Sequence, residues 1–162
     1  MFPQRIAIVL PLLFTMLLAA CEKDDDKKMA AKTYSYTFNT GAIGESYVGT
    51  HPKTMASQVT VTEQANGKSK LTVMLTNTLS GKTYNVHLHE AMAGSTPPYN
   101  QMPKYIITVT GNGTTAANTV VLSDSFETLT AAFKGFYVVH DPTQTLSTTD
   151  FKTFLIVGTY NQ

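Results

Sequence analysis

The feature that constrains this chain most is a rhythm. From Tyr34 onward, short runs rich in Val, Ile, Thr, Tyr and Phe return at intervals of roughly ten residues, with Gly, Asn, Pro and Ser between them. Tyr34, Tyr36 and Phe38 alternate with Ser35 and Thr37, and Val59 and Val61 alternate with threonines. Such a two-residue period puts one set of side chains on each face of a strand. Asn66-Gly67 separates residues 58–63 from residues 71–75, a hairpin signal because that pair accepts the positive φ of a tight turn. Further runs follow at residues 84–90, 105–110, 118–122, 136–141 and 151–160, and residues 47–50 continue or begin a strand that His51-Pro52 ends. Only residues 124–133, with Phe126, Leu129 and Phe133 near helical spacing, suggest a helical or irregular crossing. About eight short strands and no long helix predict an all-β fold, an antiparallel Greek-key β-sandwich or flattened barrel.

One of these runs carries chemistry. In Tyr84-Asn85-Val86-His87-Leu88-His89-Glu90 the two histidines stand two residues apart. On a strand they share a face, while Tyr84, Val86 and Leu88 face the other way into a core. Two imidazoles side by side on a rigid strand are half of a metal site. His140, ending Val138-Val139-His140, is the expected third ligand, and His51, also before a loop, the expected fourth. Two strand ends that enter long loops can meet at one rim of a sandwich, which is where the site is expected. Glu90 and Asp141 each follow a histidine and are candidates to orient a ring by accepting its second N–H. A lone histidine is more often structural, so the alternative is four rings that only pack and hydrogen-bond. The loop at residues 91–104, with Tyr99, Met102 and then Tyr105, offers a different surface, suited to a protein or glycan partner. No P-loop, GxSxG or CxxC motif is present, and no residue is nominated as catalytic.

The N-terminus belongs to targeting rather than to the fold. Arg5 precedes an apolar stretch over residues 6–20, short for a membrane span and right for a signal sequence. Leu18-Ala19-Ala20-Cys21 resembles a bacterial lipobox, which implies that Cys21, the only cysteine, is acylated and anchors the chain to a membrane. The charged run after it, Cys21-Glu22-Lys23-Asp24-Asp25-Asp26-Lys27-Lys28, reads as a solvated tether. It is similar to the export signal of surface lipoproteins of the Bacteroidota, which implies an outer-membrane, surface-exposed location. The expected organisation is a signal peptide at 1–20, a tether at 21–32 and a β-sandwich domain at 33–162. The formal net charge is +1, and removal of Arg5 with the signal leaves the chain neutral. That argues against nucleic acid, which wants a basic face. With Cys21 acylated, no thiol remains for a disulfide, so packing alone must hold the domain.

Two family resemblances bear on the histidines. Val86-His87-Leu88-His89-Glu90 after Gly81, Gly111-Asn112, Asp124-Ser125 with Leu129, the Gly135 segment ending Val138-Val139-His140, and Phe154-Leu155-Ile156-Val157-Gly158 resemble, in order, stretches of the copper/zinc superoxide dismutases. The resemblance implies copper held by His87, His89 and His140. It does not extend to zinc, because residues 91–139 contain no histidine. The family's disulfide and its substrate-guiding arginine are also without counterparts, since no arginine follows Arg5, and Lys152 could substitute for the arginine only as a point charge. The same two histidine segments, with Phe38-Asn39-Thr40-Gly41, also resemble the chordin-type (CHRD) domain, which implies a secreted sandwich without catalytic function.

Overall fold

The computed structural model describes residues 28–162. The signal segment, Cys21 and most of the tether lie outside these residues. Eight strands follow in order: β1 (Ala31–Thr37), β2 (Ala56–Glu63), β3 (Ser69–Thr76), β4 (Thr83–Glu90), β5 (Tyr105–Thr110), β6 (Ala116–Leu122), β7 (Gly135–His140) and β8 (Phe154–Tyr160). The crossing from β6 to β7 holds one short helical segment over residues 126–132, π-helical at Thr128–Ala132. Ala31 and Lys32, expected to end the tether, are already strand residues.

The strands form two antiparallel sheets, ordered β1-β2-β3-β6 and β5-β4-β7-β8. The chain leaves the first sheet after β3, makes the β4–β5 hairpin in the second, and returns to lay β6 against β3. This is the expected Greek-key sandwich. The β2–β3 hairpin turns where Gly67 takes φ +76°. Between the sheets lie the side chains that alternation assigned inward, among them Val59, Val61, Leu71, Val73, Leu75, Tyr84, Val86 and Leu88.

The two sheets differ in how they meet solvent. β3 alternates buried and half-buried residues, as a sheet wetted on one side should. Every residue of β7 is buried, as is the run Val86, His87, Leu88 and His89 of β4. Loops 91–104 and 141–153 cover the outer face of this second sheet. A small second core sits there, built from Tyr99, Phe136, Val138 and Phe154 with Phe151 packed against it. Residues 47–50 do not form a strand; Tyr47 instead turns its ring into the main core, edge-on to Phe38 at 5.3 Å.

Candidate metal centre

β4 and β7 are direct neighbours, with His87 opposite Val138 and His89 opposite Phe136. Alternation sends Tyr137 and Val139 into the main core and Phe136 and Val138 to the outer face. A bulge at Val139/His140 in the β7–β8 pairing then sets the position of His140. Bulges of this kind re-aim a side chain beside a site. The result brings His87, His89 and His140 together on the outer face of the sheet, beneath the loops rather than at the open rim expected from the strand ends.

The three rings offer donor nitrogens that lie within 4.8 Å of one another. His140 Nε2 and His87 Nδ1 share a hydrogen bond of 2.9 Å, with ring centroids 4.4 Å apart. Two bonds of about 2.0–2.1 Å to one ion, at angles between square and tetrahedral, separate their nitrogens by about 2.9–3.4 Å. The His87–His140 pair is therefore already at ligand spacing. His89 stands 5.4 Å from His87, ring to ring. Its Nδ1 donates to the carbonyl oxygen of Asn100 at 2.7 Å, which leaves the lone pair on Nε2. That Nε2 is buried and has no partner, and neither has His140 Nδ1. A buried lone pair without a donor carries a desolvation cost that a bound cation would remove.

Electrostatics keep the rings in the form a metal needs. Burial, with His89 nearby, pushes His87 down to about 4. Burial and then the neighbouring His87 and His89 push His140 down to about 3. Burial also lowers His89, against the pull of the Asn100 carbonyl. All three are neutral at pH 7, and neutral imidazole is the ligand form.

The other expected site residues take different parts. His51 is not in the cluster. Its Nε2 pairs with the Tyr84 hydroxyl at 2.8 Å and its Nδ1 with the Pro52 carbonyl at 3.1 Å. Because Tyr84 points into the main core, on the far side of β4, His51 belongs to the framework. Glu90 is exposed, and its backbone carbonyl accepts from Asn100. The carboxylate of Asp141 accepts from Tyr47, Thr143 and Gln144 rather than from a ring. Burial alone would raise the Asp141 carboxyl, but these donors outweigh it and hold it below its ordinary value. The group that orients a histidine is the backbone carbonyl of Asn100, which no side-chain pattern announces.

Tyr99 also differs from expectation. It is 1% exposed, so it is a wall of the site and not a docking aromatic. Its ring lies 4.7 Å from that of His89, and its hydroxyl donates to the Thr148 carbonyl at 3.0 Å. Tyr105 is buried as well, and Met102 is the exposed residue of the three. Phe154 completes the enclosure, edge-on to His140 at 5.0 Å.

Fold and site together define a class: an all-β sandwich with a buried three-histidine cluster able to bind a metal ion. Comparison with family models, with curated proteins and with solved structures returned no match for this chain.

Proposed function

We propose that the chain is a lipid-anchored protein of the bacterial cell envelope that binds a transition metal, copper before zinc, through His87, His89 and His140. The observation that carries this reading is the unpartnered Nε2 of His89, buried and fixed by Asn100 beside two imidazoles at ligand spacing. Three neutral nitrogen ligands suit copper, which lies at the top of the divalent affinity order. The likeness to the copper/zinc superoxide dismutases adds support, because the three positions that match that family's copper ligands are the three that converge here. The anchor would be an acyl group on Cys21, with the charged tether holding the domain off an outer membrane and facing outward.

A second reading has its own observation. The His87–His140 hydrogen bond already satisfies one nitrogen of each ring without any ion. On that reading the domain is a CHRD-like binding or structural module and the histidines are internal scaffolding. Copper titration of the mature chain separates the two. About one equivalent bound by wild type, and none by the His87→Ala/His89→Ala double variant, supports the metal site. Equal stoichiometry in both chains rejects it. For the anchor, labelling cells with a fatty acid should mark wild type and not Cys21→Ser; a labelled Cys21→Ser chain would exclude Cys21 as the acylated residue.

A further inference from the structure

We infer that the three-histidine centre is closed to any ligand from outside the protein, that Tyr99 is the residue that closes it, and that it holds copper as Cu(I). The inference rests on the metal-binding reading above. His87, His89 and His140 are 4%, 0% and 2% exposed, so no solvent-facing coordination position adjoins them. Tyr99 lies against His89 and is itself locked from two sides. Its backbone bridges Ala91 just after β4, and its hydroxyl ties loop 91–104 to loop 141–153 through Thr148. The next residue, Asn100, orients His89 through its carbonyl, so one two-residue segment both roofs the ligand and sets its tautomer.

The surroundings also choose an oxidation state. Tyr99, Phe136 and Phe154 are buried aromatics, and the nearest buried carboxylate, Asp141, is engaged by Tyr47, Thr143 and Gln144. Three neutral imidazoles therefore bring no negative charge to offset a cation. Burying two positive charges in such a pocket costs far more than burying one. A monovalent ion with three nitrogen ligands is held tightly; a divalent ion, which wants a fourth ligand or an anion, is held less tightly in the same site. Tyr99 is a positioning residue here, acting through exclusion rather than by coordination.

Azide provides the test. Load the mature chain with Cu(II), titrate sodium azide and record the azide-to-copper charge-transfer absorption. Wild type and Tyr99→Phe, which keeps the ring, should stay silent, while Tyr99→Ala should develop the band. A band in wild type overturns the closed site, whether or not Tyr99→Ala folds. A silent Tyr99→Ala that has folded and bound copper overturns the role of Tyr99. In parallel, chelator competition should show Cu(I) retained at least about tenfold better than Cu(II), a difference of about 1.4 kcal/mol. Equal retention overturns the preference for Cu(I). A wild-type chain that takes up neither ion removes the metal-binding reading and this inference with it; bound copper that reacts with azide removes only the inference.

Discussion

His51 and His89 are both buried histidines, and one nitrogen separates their roles. Both ring nitrogens of His51 have partners, whereas His89 keeps a bare Nε2. Replacing His51 by Ala should leave copper stoichiometry unchanged. It should lower stability by about 1–3 kcal/mol, because the buried Tyr84 hydroxyl loses its acceptor. Chemical denaturation together with metal analysis checks both halves, and loss of copper on His51→Ala would return it to the ligand set. His89→Ala should do the reverse and abolish binding, since it removes the nitrogen that no protein group satisfies. The sequence put these two histidines in one candidate set because nothing local distinguishes them. Their partners, Tyr84 and Asn100, are 33 and 11 residues away.

The β4–β7 pair acts as one device. Alternation within β4 was legible, and His87 and His89 do share a face. That this face is the covered outer side of a sheet was not legible, since the cover comes from loops whose course no strand pattern contains. Gly135 shows how tightly the pair is set. A Cβ there would collide with the His89 carbonyl oxygen and approach the Phe133 ring at 3.0 Å. Gly135→Ala should therefore push β7 away from β4, cost about 1–3 kcal/mol and weaken copper binding along with it. Unfolding midpoints and a copper titration would check this, and unchanged affinity in a destabilised variant would show that the site tolerates movement of β7.

For the molecule as a whole, the buried histidines couple stability to pH. In the unfolded chain they take up protons near pH 6.5. In the folded, metal-free chain His87 does so only at about 4 and His140 at about 3. Between these limits the unfolded state binds more protons, so stability falls as pH falls from about 6.5 toward 4. The slope approaches about 1.4 kcal/mol per pH unit for each such histidine. Asp141, whose carboxyl is lowered, adds a loss at still lower pH. Urea midpoints measured from pH 7 to pH 4 on metal-free protein should show this decline, and a flat profile would mean that the rings are not held neutral. Copper binding should persist below pH 6, where an exposed histidine site would already be losing its metal to protons.

The sequence by itself determined the all-β class, all eight strands as separate runs, with β1 beginning at Ala31 instead of Tyr34, and the three histidines that converge. Those follow from alternation and turn chemistry, which act over a few residues. Only the tertiary structure decided that His51 faces the opposite side of β4 and that Glu90 and Asp141 orient no ring. It also decided that the site is roofed by Tyr99 instead of open at a rim. Each of these depends on which distant segment ends beside which strand, and that is settled by packing two sheets and their loops together, not by any local pattern.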